Sequence, residues 1–337
     1  MSTASARALA AALIGALALA AQPAAAEAVK IGLLRVPASG PIFVAVEKGY
    51  FAAEGLDPQL VYFEAGPPVA VGVVSGDLDF GAGALIGAFY NLAAKGALRM
   101  IGALARESPG FQGQGYLVNT KVYDAGFQSL KQFGGHSVAV TAVGGPAHYA
   151  VGRLAEKYGF DLASVRIVVT QSLSNAVAAV ETRQTDTTVI SMTASIPPLL
   201  QRGEVKLLGW VGDETPWQYG AVFTAKRTAD NERDKVERFL RAFRRGTREY
   251  HEAFTGPDGR RKDGPAAPEM LAILAKYTGQ TAANVAFSVT YADPEARLDI
   301  KDVLRQIDWY RAQGLIKGEV DGAALIDSRY ARPLPEK

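Results

Sequence analysis

Two stretches of this chain pass through the same order of elements. Each has a strand, a glycine/proline turn, a helix stopped by glycine, a strand, a helix, an acidic turn and a strand. In the first, Val29–Val36 reads as a strand, Pro37-Ala-Ser-Gly-Pro41 opens a helix through Lys48, and Gly49 closes it. A strand over about 59–64, a helix from Gly66-Pro67-Pro68, a strand over 78–81, a helix over 84–94 and a strand over 98–105 follow. In the second, Ser137–Val143 meets Gly144-Gly145-Pro146, and a helix runs to Tyr158 before Gly159. A strand over 165–170, a helix over Ser174–Thr182 and a strand over Thr187–Ser191 complete it. AVGVVSGDLDF (70–80) falls on VAAVETRQTDT (177–187), which sets Asp79 on Asp186. Strands alternating with helices bury their apolar faces as a mostly parallel sheet flanked by helices. The repeat therefore predicts an α/β fold of two lobes.

The remainder, from about Asp230, reads as helical. ADNERDKVERFLRAFRRGTREYHEAF places apolar residues at 236, 239, 240, 243, 250 and 254, one stripe at helical spacing, with Asp230 or Asn231 as cap. Helices over Pro268–Tyr277, stopped by Gly279, and Asp299–Gln313, stopped by Gly314, follow. Three such helices need a host for their apolar faces, so they are expected to pack back on the first lobe. The expected division is 27–115 for lobe I, 116–223 for lobe II, and 224–337 for the return to lobe I and the C-terminal helices.

Residues 1–26 differ from the rest. Arg7 is the lone charge, residues 8–21 are wholly apolar, and Ala24-Ala25-Ala26 supplies a small-residue stop. This is the layout of a signal peptide cleaved after Ala26, and the apolar run is short for a membrane span. The chain has no cysteine, which removes disulfides, thiol nucleophiles, thiolate metal sites and a lipid on an N-terminal cysteine. A soluble, unanchored protein of the periplasm is expected. The three histidines, at 136, 148 and 251, lack metal-ligand spacing, so neither a metal nor another cofactor is expected. A net charge of +2 is spread along the chain, and its basic stretches at 241–245 and 260–262 are short and flanked by acids. Nucleic acid is not an expected partner.

Three motifs carry a family resemblance. G-P-x-F-V-A-x-E-K-G-Y-F-x-x-E-G-L-D (40–57), S-G-D-L-D-F-G (75–81) and S-L-K-Q-F-G-G-H-S-V-A-V (129–140) resemble the periplasmic solute-binding proteins of ABC importers. Within these the chain is similar to the group for sulfonates, taurine, nitrate and thiamine-precursor pyrimidines (SsuA/TauA/NMT1-like). The resemblance implies a two-lobed clamp of the type II periplasmic binding fold, joined by crossover strands near Gly113–Val118 and Gly220–Thr224. It also implies a small-molecule solute, an inner-membrane permease with its ATPase as partner, and no catalysis. Free diffusion to that partner favours a monomer.

In such a fold the ligand lies at the C-terminal ends of the parallel strands. Lobe I offers Arg35, Ser39, Gly40 and Pro41 after its first strand, Gly66 before its second helix, and Gly83 and Ala84 before its third. Lobe II offers Gly144, Gly145, Ala147, His148 and Tyr149, then Gln171 and Ser172, then Ser191, Met192 and Thr193. These are backbone amides and neutral donors suited to a small solute. Each has a plainer reading: the glycines as tight turns, the hydroxyls as helix caps, Tyr149 as packing beneath its helix. Arg35 and Arg106 are the candidate cations for an anion, and Trp217 and Tyr219 either wall the cleft or pad the hinge. Tyr149, Trp217, Phe43 and Met192 favour an organic ligand over a bare inorganic ion.

One pattern argues for an exported or periplasmic oxidoreductase instead. Gly81-Ala-Gly-Ala-Leu-Ile-Gly87 has dinucleotide-turn spacing, with Arg106 some way downstream. The preceding strand contains Asp77 and Asp79, unlike a buried nucleotide-binding strand. Hydrolysis has less support, because G-x-S-x-G is absent and no acid is spaced to orient His148.

Overall fold

The computed structural model describes residues 26–191 and 196–335. The expected signal peptide, apart from Ala26, and the site candidates Met192 and Thr193 lie outside these residues. Among the described residues ten strands form two five-stranded mixed sheets. The first holds β1 (Glu27–Leu34), β2 (Leu56–Phe63), β3 (Phe80–Ala84), β4 (Leu98–Glu107) and β10 (Trp217–Ala225), in the order β2-β1-β3-β10-β4. The second holds β5 (Gln114–Asn119), β6 (Ser137–Val140), β7 (Arg166–Val169), β8 (Thr187–Ser191) and β9 (Val205–Trp210), in the order β7-β6-β8-β5-β9. Position for position the two orders are the same. In each, three parallel strands are followed by an antiparallel fourth that arrives from the other half of the chain.

The aligned aspartates explain how each unit closes. Asp79 Oδ2 accepts from the Lys30 amide at 2.8 Å, and Asp186 Oδ2 accepts from the Ser137 amide at 2.8 Å. Both carboxylates stand just before the third strand of a unit and hold an amide of its first, Lys30 within β1 and Ser137 at the start of β6. A charged acceptor makes this a strong register pin.

The crossings adjoin the expected stretches. Gly113–Val118 and Gly220–Thr224 fall almost wholly inside β5 and β10, each paired on both sides. The chain passes between the sheets at 108–113 and 211–216, just before those two strands. The two crossings touch: a Cβ on Gly212 would stand 2.9 Å from the Ser108 nitrogen and closer still to its carbonyl oxygen.

Helices of seven residues or more are α1 (Gly40–Glu47), α2 (Gly66–Ser75), α3 (Gly87–Ala93), α4 (Pro146–Tyr158), α5 (Leu173–Glu181), α6 (Ile196–Arg202), α7 (Arg233–Phe254), α8 (Ala267–Thr278) and α9 (Ile300–Ala312). The apolar stripe of α7 is buried, and it shares a core with β1, α1 and α8. Its cap is Glu232, because Asp230 and Asn231 end a separate short helix. The crossing of α1 and α7 is close: a Cβ on Gly246 would stand 2.5 Å from the Pro41 carbonyl oxygen and 2.7 Å from the Ala45 nitrogen. Gly246→Val is therefore expected to lower stability by about 1–3 kcal/mol through overpacking. Urea denaturation with an unchanged midpoint would show that the helices part freely.

Helix α9 packs on lobe I, where Gln306 Nε2 donates to the Gln218 carbonyl of β10 at 2.8 Å, and it reaches the second half as well. Its aromatic residues belong to an apolar cluster that also holds Met100 and Trp217 of the first sheet and Tyr116 and Tyr149 of the second half. The lobes share that core.

Candidate functional site

The amide of Gly87 donates to the carbonyl oxygen of Gly144 at 3.1 Å. Gly87 opens α3 just after β3, and Gly144 sits in the turn just after β6. The C-terminal strand ends of the two sheets therefore face each other across one gap. Helix starts at such edges carry unpaired amides and the positive dipole end.

The candidates of lobe I divide. Gly66 and Gly83 have open space where a side chain would stand, and Ala84, next to Gly83, is half-buried at the end of β3. Arg35 is exposed, but its guanidinium lies 3.7 Å over the Tyr62 ring and donates to the Tyr277 carbonyl. Ser39, Gly40 and Pro41 are buried in packing instead. Ser39 Oγ donates to the Leu34 carbonyl at 3.0 Å, and a Cβ on Gly40 would stand 2.6 Å from the Tyr250 ring of α7. Arg106 is paired with Asp299 at 2.7 Å on the outer edge of β4, where its amide donates to the Tyr291 carbonyl.

In lobe II the turn before α4 supplies its own partners. Gly144 adopts a left-handed φ of 74°, its amide donates to His148 Nδ1 at 3.1 Å, and the Gly145 amide donates to the Ala142 carbonyl at 3.2 Å. These two amides, expected to hold ligand, are used within the turn. Burial holds the His148 imidazole below its ordinary pKa, and a neutral ring is what an accepting Nδ1 requires. Ala147 and His148 open α4, whose N-terminus has no side-chain cap. Tyr149 and Trp217 are fully buried against each other, with ring centroids 4.9 Å apart, so both pad the lobe junction. Ser172 caps α5 by accepting from the Asn175 amide at 3.1 Å. Gln171 beside it is exposed in a left-handed conformation, and Ser191 ends β8 half-buried, opposite Gln114.

The family model described as NMT1/THI5 like matches residues 36–256. The chain belongs to this family. No curated protein matches the sequence. Among solved structures it is similar to the periplasmic aliphatic sulphonate binding protein SsuA from Escherichia coli, at 20% identity and TM-score 0.69, over 92% of this chain and 94% of that one. It is also similar to the alkanesulfonate-binding protein SsuA from Xanthomonas axonopodis pv. citri, at 20% identity and TM-score 0.67, over 91% and 99%. The periplasmic nitrate-binding protein NrtA from Synechocystis PCC 6803 matches at 14% identity and TM-score 0.63, over 89% and 85%. Likeness at this identity shows a shared fold.

Two further residues of this NMT1/THI5-like chain stand beside the chain crossings, Glu107 before the first and Tyr219 after the second. Tyr219 lies on β10 beside the end of β3, where its carbonyl accepts from the Leu85 amide at 2.9 Å. Its ring is half-buried, and its hydroxyl makes no hydrogen bond among the described residues. Burial, with the nearby Glu107 charge, pushes its pKa up to about 12, so it stays a neutral donor. Glu107 ends β4 and is buried; it accepts from Gln114 Nε2 at 2.9 Å across the first crossing. Burial pushes its carboxyl up to about 7. Gly113 leaves room for it, since a Cβ there would stand 2.7 Å from Oε2. The signal in the sequence was an acid ending a long apolar strand, just before SPGFQGQG.

The dinucleotide spacing does not build a turn. Gly81 and Gly83 lie within β3, and a Cβ on Gly81 would stand 2.7 Å from Cζ of Phe223 and closer still to Cε2. A phosphate-binding loop needs those glycines between strand and helix; here they permit close packing and an open strand end.

Proposed function

We propose that this chain is the exported solute-binding component of an ABC importer, which takes a small polar organic solute between its lobes and passes it to an inner-membrane permease with its ATPase. The Gly87–Gly144 hydrogen bond carries this reading, because it sets both strand-end edges on one gap. Membership of the NMT1/THI5-like family supports the same role, and the relatives' names place sulfonates and nitrate among the solutes that this fold holds. The signal-peptide layout supports a periplasmic location. No catalysis is part of the reading.

The groups at the gap favour neutral recognition. Gly66, Gly83, Ala84, Ser191, Tyr219 and the first amides of α4 offer open backbone and uncharged donors, whereas Arg35 and Arg106 are engaged. Such a lining suits an organic solute with several hydrogen-bonding atoms better than a bare inorganic anion.

Thermal shift of the purified protein against sulfonates, aromatic acids, pyrimidines and inorganic anions tests this. One organic class should stabilise it, since ligand at about a hundred times Kd adds ~2.7 kcal/mol. Gly83→Leu, which fills the open end of β3, should abolish that shift while leaving the unliganded midpoint near that of the parent. Consumption of NADPH, or stabilisation by none of the classes, would reject the proposal.

A further inference from the structure

Helix α9 is anchored to the first lobe along one side. Asp302 Oδ2 accepts from the Gln218 amide at 2.8 Å, and Gln306 Nε2 donates to the Gln218 carbonyl at 2.8 Å. Tyr90 of α3 donates to Gln306 Oε1 at 3.1 Å. Along the other side, α9 meets α4 of lobe II. Trp309 and Tyr310 stand with ring centroids 5.2 and 5.6 Å from Tyr149, and Trp309 meets His148 edge-on at 5.2 Å. One turn further along α4, a Cβ on Gly152 would lie 2.5 Å from both Cε2 and Nε1 of Trp309. No side chain fits between that backbone and the indole.

Glycine inside a helix is costly in conformational entropy. Its place in the middle of α4 is explained by the indole laid across it. The same helix begins at the Gly144 turn, which is bonded to Gly87 of lobe I. The position of lobe II relative to lobe I is thus held at two points on one helix, its start and its Gly152 notch.

We propose that α9 is a latch which sets the angle between the lobes, with Trp309 seated at Gly152 as its catch. It adds a third connection to the two chain crossings. A rotation that parts α4 from α9 must expose three aromatic rings and leave Asp302 without Tyr149 beside it.

The chain has no cysteine, so one label can be placed on each lobe at exposed alanines: Ala52→Cys in lobe I and Ala178→Cys in lobe II. Pulsed electron spin resonance then reads the distance between spin labels without added solute, so the result is independent of the transport reading. Trp309→Ala should broaden the distance distribution by removing the catch. Gly152→Val should displace its mean by wedging α4 off the indole. Adding Trp309→Ala to Gly152→Val should cancel the displacement and keep the breadth. An unchanged mean in Gly152→Val, or an equal displacement in the double variant, would overturn the proposal. Should Gly152→Val fail to fold, an unchanged distribution in Trp309→Ala overturns it alone.

Discussion

Truncation of Phe239 to alanine is expected to cost about 3–5 kcal/mol, the range for deleting a buried aromatic ring. Phe239 is fully buried on α7, stacked on Phe80 of β3 at 3.8 Å between ring centroids, with Phe51 at 5.4 Å. Its partners come from two separated parts of the chain, so no single element can collapse to fill the space. A loss of that size is a large share of the ~5–15 kcal/mol that keeps a domain folded. Urea unfolding followed by circular dichroism measures it. A cost near the ~1 kcal/mol of an average substitution would mean that the seam between α7 and the first sheet is loosely packed.

Replacing Glu107 by glutamine is expected to stabilise the protein above neutral pH. Burial holds the carboxyl at about 7 in the folded state, against 4.5 ordinarily. Between those values the folded state holds more protons than the unfolded state, so stability falls as pH rises through that window and levels off above it. The full span is worth about 3 kcal/mol, at ~1.4 kcal/mol per pKa unit. Glu107→Gln cannot ionise and keeps an oxygen to accept from Gln114 Nε2. It should exceed the parent by up to about 3 kcal/mol at pH 8 and differ little at pH 4.5. Equal pH slopes in the two proteins, from denaturation at several pH values, would show that the hinge carboxyl is hydrated.

The repeat was legible because its signals are local. Gly49, Gly159 and Gly279 each sit in the left-handed conformation that ends a helix, at 70°, 75° and 71°. Glycine adopts that conformation at no steric cost, so the stop is written in the residue. The Asp79–Asp186 alignment was legible for the same reason, and both residues do the same work. The site was less legible. Gly40, Gly66, Gly81 and Gly83 look alike in sequence, yet Gly40 and Gly81 admit neighbouring rings while Gly66 and Gly83 face open space. What surrounds a missing Cβ is set by residues far away in the chain. Arg106 drew interest as a cation, and its partner Asp299 lies beyond any spacing rule.

By itself the sequence determined the class of fold, the doubling of the unit and the ends of most helices, because turn chemistry and burial periodicity act over a few residues. Only the tertiary structure decided where the chain crosses between lobes, which amides remain open at the gap, and that α9 grips both halves. The grip of α9 depends on contacts between residues more than a hundred positions apart, such as Trp309 with Gly152, and no local pattern encodes which of many apolar faces will meet.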